Sequence, residues 1–195
     1  KMKTILNSLR FLFSMTLLTG VMYPLVVTGI SKGLFPDKAS GSILKSAKGD
    51  VIGSSLIGQK FTQPIYFQGR PSGGDYATVA SGASNKGPTS VELKKAVDDR
   101  IVIWKAAAAL NGTEKIPDLL LFASGSGLDP HLSPDAVKFQ VNSVAKARNF
   151  NAVQREKLVK LIDELTEKPQ FGFLGQTRVN VLLLNIELDK NAATF

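Results

Sequence analysis

The stretch Phe11–Ile30, FLFSMTLLTGVMYPLVVTGI, is an apolar segment of 20 residues without a charged side chain. As an α-helix it would span about 30 Å, which is the thickness of the hydrocarbon core of a bilayer. A cleaved signal peptide would have an apolar region of only about 7–15 residues, and VVTG is a poor cleavage site. A helix packed on one side against the core of a globular domain usually carries a polar face, which this stretch lacks, so the pattern disfavours a core helix. The stretch therefore predicts an uncleaved membrane-spanning helix.

The charges on the two sides of this stretch predict its orientation. Lys1, Lys3 and Arg10 precede it, whereas Lys32 and Lys38 follow it. Because basic residues are enriched on the cytoplasmic side of a membrane helix, the bias places the N-terminus in the cytoplasm. We expect a single-pass protein of the cell membrane whose main domain is extracytoplasmic.

The predicted organisation has four parts. Residues 1–10 form a short cytoplasmic N-terminus, residues 11–30 the transmembrane helix, and residues 31–42 a juxtamembrane linker. Residues 43–195 form one extracytoplasmic domain, because their number suits a single core.

Small residues recur every four positions within the predicted helix. Thr16, Gly20, Pro24 and Thr28 form this stripe. Small residues at such spacing let a neighbouring helix approach closely. We therefore predict that the stripe contacts a partner helix in the lipid bilayer.

The composition excludes several classes of site. The chain has no cysteine and one histidine, which excludes disulfides, thiolate metal sites, cysteine nucleophiles and histidine-rich zinc sites. A net charge of +8 is compatible with nucleic-acid binding. However, the basic residues are scattered rather than clustered among aromatic residues, so we expect no nucleic-acid partner.

The region after the linker begins with a β-hairpin and a long loop. Lys48-Gly49-Asp50 predicts the turn between two short strands. Residues 59–90 are rich in glycine and proline, which predicts a long irregular segment.

Three capping signals predict helices. Thr89 and Glu92 have the spacing of a capping box, with Asn111-Gly112 as the end of the helix. Ser133 precedes a proline at the first position of the next helix. Asn151 with Gln154 predicts a third helix, which Pro169 would end.

Two apolar runs predict buried strands. The first is LLLFAS, residues 119–124. The second is RVNVLLLNIELD, residues 178–189, which is apolar on both faces and suits a central strand. Because helices and strands do not alternate regularly, we predict an α+β fold.

The segment SGSGLDPHLSP, residues 124–134, contains the only histidine of the chain. One hypothesis is a membrane-anchored hydrolase that uses Ser126, Asp129 and His131. However, the segment lacks the G-x-S-x-G pattern of a nucleophile elbow, and the chain has no Walker motif.

The alternative is that this segment is a structural loop. Glycines permit tight backbone turns, and short polar side chains bond to nearby amides. We therefore predict that Gly125, Gly127, Asp129, His131 and Ser133 shape the loop, and we assign no catalytic, cofactor-binding or metal-binding residue.

A series of short blocks runs along the chain in a characteristic order. The blocks are TGVMYPL, GSSLIGQKF, YFQGRPSG, ASNKGPTS, SGSGLDPHLSPDA, VAKARN and GFLGQTRVNVLLLN. With these blocks the chain resembles KdpC, the C subunits of the Kdp potassium-transporting P-type ATPases. The resemblance singles out four polar motif residues, Arg70, Asn85, Arg148 and Asn180.

The resemblance implies an accessory, non-catalytic subunit. Its expected partners are the channel-like A subunit, the ATP-hydrolysing B subunit and the small F subunit. It implies no cofactor of its own, because the partner subunits handle potassium and ATP with magnesium. The family is also described as a catalytic chaperone that raises the affinity of the B subunit for ATP.

Overall fold

The computed structural model describes residues 1–46, 48–79, 81–108 and 115–191. These residues form two compact units, residues 1–54 and residues 55–195. One long apolar helix precedes a globular α+β domain, which confirms the predicted fold class. The domain boundaries expected from the sequence remain predictions.

The first unit is dominated by a continuous helix from Met2 to Leu34. It comprises α1 (Met2–Leu17), a π-helical turn (Leu18–Met22) and α2 (Tyr23–Leu34). The helix is long and apolar enough to cross a membrane. The predicted span covers only its central part, because a helix continues through flanking residues that are no longer apolar.

Pro24 explains the π-helical turn. A proline has no N–H to donate to the carbonyl four residues earlier, and its ring crowds that carbonyl. The backbone widens just before it, so that the Tyr23 N–H donates to the Leu18 carbonyl. The Thr19 hydroxyl donates to the Met15 carbonyl at 2.7 Å, which gives this carbonyl, one turn before the π-helical turn, a side-chain partner.

The first unit ends in the predicted β-hairpin. After the short helix α3 (Pro36–Ala39), β1 (Ile43–Lys45) pairs antiparallel with β2 (Val51–Ser54). Gly49 lies in the turn with a φ of +89°, a conformation that glycine adopts without steric penalty. The hairpin prediction is therefore confirmed.

Among the residues that the structure describes, the second unit contains four α-helices and a small antiparallel sheet of order β3-β5-β4. The predicted irregular segment is confirmed, since residues 55–79 and 81–90 contain no helix or strand. The regular elements are α4 (Val91–Ala108), β3 (His131–Leu132), α5 (Pro134–Ala147), α6 (Ala152–Glu164), β4 (Thr166–Glu167), β5 (Arg178–Asn180) and α7 (Val181–Lys190).

Two of the three predicted helix starts are confirmed. Ser133 caps α5 by accepting a hydrogen bond from the Ala136 N–H at 3.3 Å. Asn151 and Gln154 form the complete capping box of α6. Pro169 does not end α6, because that helix already stops at Glu164 and β4 follows.

The third helix start was predicted one residue too early. The cap of α4 is Ser90 rather than Thr89, and its hydroxyl accepts from the Leu93 N–H at 3.2 Å. The same hydroxyl donates to the Glu92 carboxylate at 2.6 Å, so Glu92 bonds to the side chain of the capping residue. The predicted end at Asn111-Gly112 lies outside the described residues.

The first predicted strand, residues 119–124, is wrong. Its beginning forms a 3₁₀ turn, Asp118–Leu120, and the rest is irregular. Side chains rather than a neighbouring strand donate to its carbonyls. Trp104 donates to the Leu120 carbonyl at 3.3 Å, and Arg100 donates to the Leu121 carbonyl at 2.6 Å. A short apolar run cannot distinguish a buried turn from a buried strand by pattern alone.

The second predicted strand is wrong over most of its length. Only β5 is extended, and Asn180 then caps α7 by accepting from the Leu183 N–H at 3.1 Å. Helix α7 is buried around much of its circumference. Because such a helix is apolar on nearly every side, its sequence resembles that of a buried strand.

Buried amides connect the long irregular segment to the helices. Asn185 on α7 accepts from the Phe67 N–H and donates to the Phe67 carbonyl, both at 2.9 Å. Gln140 on α5 does the same for Gln68, at 2.8 and 3.0 Å. These two "amide clamps" give the segment the hydrogen bonds that a strand would obtain from a sheet.

Replacing Asn185 with leucine tests the importance of the clamps. Asn185→Leu keeps the size of the side chain but leaves the buried N–H and carbonyl of Phe67 unpaired. The loss of stability should be about 3 kcal/mol. Urea unfolding of the full chain in detergent measures it. Asn142→Leu on the exposed side of α5 is the matched control, and equal midpoints for the two variants would contradict the prediction.

Candidate functional site

The loop from Ser124 to Pro134 lies against the long irregular segment. Gly127 has a φ of +70°, and an added Cβ would lie 2.9 Å from the Gly82 carbonyl oxygen and 3.0 Å from the Ser72 hydroxyl. Only glycine fits this close approach without displacing backbone. In contrast, no atom outside the immediate backbone lies near a Cβ added at Gly125. The packing therefore requires a glycine at only one of these two predicted loop positions.

Asp129 is the centre of the polar contacts in this loop. Its carboxylate accepts from Arg70 Nη1 and from the backbone N–H of His131, both at 3.0 Å. His131 Nδ1 also lies 3.4 Å from the same carboxylate. A second nitrogen of Arg70 donates to the Ala123 carbonyl at 3.3 Å. Arg70 thus joins the irregular segment to the start and to the middle of the loop.

The environment of Asp129 favours its charged form. Burial alone would raise the pKa of this carboxyl group, but the hydrogen bonds from His131 and Arg70 and the charge of Arg70 outweigh that effect. The net result lowers the pKa of Asp129 to about 2. The carboxylate consequently acts as a permanent anchor for the loop at neutral pH.

The hypothetical hydrolase residues are not arranged for nucleophilic catalysis. Ser126 is exposed, and its hydroxyl accepts from the Leu128 N–H at 3.1 Å. Within the described ranges, no hydrogen bond joins Ser126 to His131. Asp129 contacts His131, but a serine nucleophile needs the histidine as its base. The structure therefore does not assemble the triad that the hydrolase hypothesis requires.

An open cleft of about 310 Å³ lies beside Asp129 and His131. Arg70, Ser133 and Arg178 also line it. The described part of the chain has no group of three or more histidine, aspartate or glutamate residues that could hold a metal ion. The polar residues named here already bind other parts of the domain: Arg70 pairs with Asp129, Ser133 caps α5, and Arg178 pairs with Glu167.

Arg148 holds a second polar cluster. Its Nε donates to the Ile65 carbonyl at 2.7 Å, and its guanidinium pairs with Asp189 at 2.7 Å. The same guanidinium lies 5.3 Å from the centre of the Tyr66 ring. The Tyr66 hydroxyl donates to Asp189 at 2.8 Å, and this hydrogen bond raises its pKa. This cluster joins the irregular segment to α5 and α7.

Asn180 and Asn85, the remaining motif residues, differ in their surroundings. Asn180 is buried, donates to the Ser55 carbonyl at 2.8 Å and pairs with His131 in the sheet. Asn85 is exposed and has a φ of +52°, which asparagine tolerates better than most residues. Three of the four motif residues thus hold the irregular segment in place.

Comparison with known proteins identifies the family of the chain. The family described as "KdpC: K+-transporting ATPase, c chain" matches residues 5–190. The chain belongs to the KdpC family. The "Potassium-transporting ATPase KdpC subunit" of Bacillus cereus (strain B4264) is 44% identical over 191 residues, covering 97% of each chain. The protein of the same description from Geotalea uraniireducens (strain Rf4) is 47% identical over 192 residues, covering 97% of this chain and 98% of the relative.

Membership of the KdpC family makes the chain a subunit of a potassium-transporting ATPase complex, with other Kdp subunits as partners. The apolar N-terminal helix is consistent with a single-pass anchor for such a subunit. The stripe Thr16, Gly20, Pro24 and Thr28 is exposed along this helix. Its role as a contact surface remains a prediction.

Sequence reasoning missed the amide clamps and the Asp189 cluster. Gln140 and Asn185 are polar residues within apolar helix faces, and both are nearly inaccessible to solvent. Such a residue signals a buried hydrogen-bonding role. However, its partner, the backbone of Phe67 or Gln68, lies at a sequence distance that no local pattern reveals.

The lowered pKa of Asp129 predicts a pH dependence of stability. A carboxyl group with a depressed folded pKa stabilises the fold above its unfolded pKa of about 3.9. That contribution is lost as the pH falls toward the folded value of about 2. The stability difference between the native chain and Asp129→Asn should therefore be largest above pH 4 and shrink between pH 4 and pH 2. Urea midpoints measured across this range test it.

Asp98→Asn serves as the control for this measurement. Asp98 forms an exposed ion pair with Lys94 at 2.6 Å, and such pairs contribute little to stability. The assignment of a lowered pKa to Asp129 would be contradicted if the stability difference between the native chain and Asp129→Asn varied with pH as little as the difference for Asp98→Asn.

Proposed function

We propose that this chain is an accessory, non-catalytic subunit that assembles and stabilises the channel-like A subunit and the ATP-hydrolysing B subunit, together with the small F subunit. The observation that carries this proposal is the helix from Met2 to Leu34, which has no buried residue. A helix that is this apolar requires lipid or other helices around it. Its surface is therefore available for the membrane parts of partner subunits.

The stripe of small residues supplies the proposed contact within the membrane. A Cβ added at Gly20 would lie 3.9 Å from the methyl group of Thr16, with no other side chain among the described residues within 4 Å. The helix surface at Gly20 is therefore low, and a neighbouring helix could approach it closely. Close backbone approach strengthens packing between membrane helices. We propose that Thr16, Gly20, Pro24 and Thr28 face a helix of another Kdp subunit.

The charge bias supports an N-terminus in the cytoplasm and a globular domain outside. Lys1, Lys3 and Arg10 lie on the proposed inner side. A domain outside cannot touch ATP in the cytoplasm. Any increase in the ATP affinity of the B subunit is therefore transmitted through the membrane part of the complex, and the partners bind potassium and ATP with magnesium.

The contacts of the globular domain support a structural rather than a chemical role. Arg70 bonds to the carboxylate of Asp129, which also accepts from the backbone N–H of His131. Arg148 and Asn180 donate to backbone carbonyls of the irregular segment and of Ser55 before it. A catalytic residue would instead present its reactive atom toward a substrate position. The polar motif residues thus serve to hold a shaped surface for binding.

The topology is tested with reporters fused after position 195. A phosphatase that is active only outside the cytoplasm should be active there, whereas the same enzyme fused after Arg10 should be inactive. The physical reason is the retention of basic residues on the inner side. A fluorescent protein that folds only in the cytoplasm supplies the complementary measurement, and its fluorescence at position 195 would reverse the proposal.

The accessory role is tested by potassium-dependent ATP hydrolysis of the complex in lipid vesicles. Omission of this chain should abolish the recovery of A and B subunits as one complex. With His131→Gln, the complex should assemble and hydrolyse ATP within about twofold of the native rate, since loss of a general acid or base would lower it about a hundredfold or more. A drop of that size in an intact complex would show that His131 performs chemistry.

A further inference from the structure

A tight turn between β4 and β5 exposes large apolar side chains. Within residues 169–175, PQFGFLG, Phe171 is 87% exposed, Phe173 75% and Leu174 50%. We refer to these three residues as the aromatic knob. Solvent-exposed apolar groups that lie together usually mark a binding surface.

The backbone of the turn holds the knob in one conformation. Gln170 and Leu174 exchange two backbone hydrogen bonds, at 2.8 and 2.9 Å. The Phe173 N–H also donates to the Gln170 carbonyl at 3.2 Å. Below the turn, Thr166 of β4 pairs with the buried Val179 of β5. The knob is thus connected to the core through the sheet.

Phe171 adopts an unfavourable backbone conformation. Its φ is +53°, in the left-handed region that bulky residues rarely occupy. Gly172 and Gly175 follow with φ values of +83° and +90°, where glycine is suited. The backbone at Phe171 is therefore strained, although the side chain of Phe171 is exposed to solvent and contributes nothing to the core.

The surroundings of the knob resemble the rim of a protein interface. The adjacent exposed residues Gln170, Gln176 and Thr177 are polar and uncharged, whereas the exposed Lys168, just before the turn, is basic. Arg178 is paired with Glu167 at 2.9 Å. An apolar centre within a polar rim is the usual anatomy of a protein–protein contact.

From these observations we infer that the aromatic knob inserts into an apolar pocket on another subunit of the potassium-transporting ATPase. The chain is a subunit of that complex, so partner proteins are present. A preorganised knob suits a pocket of fixed shape, because little conformational freedom is lost on binding. The inference rests on the proposed topology, which decides the side of the membrane on which the pocket lies.

A lipid surface suits the knob less well. Aromatic residues at membrane interfaces are mainly tryptophan and tyrosine, whose polar tips reach the headgroups, and phenylalanine lacks such a tip. Attraction to anionic lipids requires several unpaired basic residues. Beside the knob in the sequence, Arg178 is neutralised by Glu167, and the exposed Lys168 is a single basic residue.

Photo-crosslinking in the assembled complex tests this inference. The substitution Phe171→p-benzoylphenylalanine places a reactive ring on the knob, and Val153→p-benzoylphenylalanine is the control. Val153 is 63% exposed on α6, outside the knob. After irradiation of membranes that contain all Kdp subunits, position 171 should crosslink to another subunit, at about tenfold higher yield than position 153.

Serine variants give an independent measurement that requires no probe. The double substitution Phe171→Ser and Phe173→Ser should lower the recovery of partner subunits with the tagged full chain by about tenfold in detergent. Val153→Ser should leave recovery unchanged. Because the knob is exposed, the unfolding midpoint of the double variant should match that of the native chain.

The outcomes separate this inference from the proposed function. Crosslinks to lipid alone, crosslinks only to a second copy of this chain, or no crosslink would overturn the knob contact. So would normal recovery of partners by the double variant. In each of these cases the native chain would still assemble the complex. If the native chain itself failed to recover the other subunits, the proposed accessory function would fail instead.

Discussion

The globular domain depends on the hydrogen bonds of two buried amide side chains. Asn185 and Gln140 each bind both polar backbone groups of one residue in the irregular segment, Phe67 and Gln68. Without them, burial of the fully inaccessible Phe67 would remove its backbone from water without compensation. The clamps therefore allow a segment without a strand or helix to pass through the core.

The same constraint explains why motif residues surround the irregular segment. Arg148 donates to the carbonyl of Ile65, just before the clamped residues, and pairs with Asp189. Arg70, just after them, donates to the Ala123 carbonyl and pairs with Asp129. An arginine can make several directed hydrogen bonds at once and so fix two chain segments. These residues consequently define the shape of the domain.

Much of the architecture follows from local sequence signals. The apolar N-terminal helix, the hairpin, the two helices capped by Ser133 and Asn151, and the α+β class all rest on interactions within a few residues. The two predicted strands that failed, residues 119–124 and most of residues 178–189, were apolar runs, whose burial is compatible with either a strand or another geometry. The motifs around His131 favoured a structural loop over a catalytic triad, but the attachment of this loop to Arg70 was not foreseen.

The sequence by itself determined the apolar N-terminal helix, the caps of α5 and α6, and the family, because these depend on composition, short spacing and an ordered series of motifs. Only the tertiary structure decided that Asn185 and Gln140 are clamps, that Asp129 anchors its loop, and that Phe171 and Phe173 remain outside the core. The physical reason is distance along the chain. Burial and hydrogen bonding depend on groups that folding brings together from remote positions, and no local pattern encodes which groups will meet.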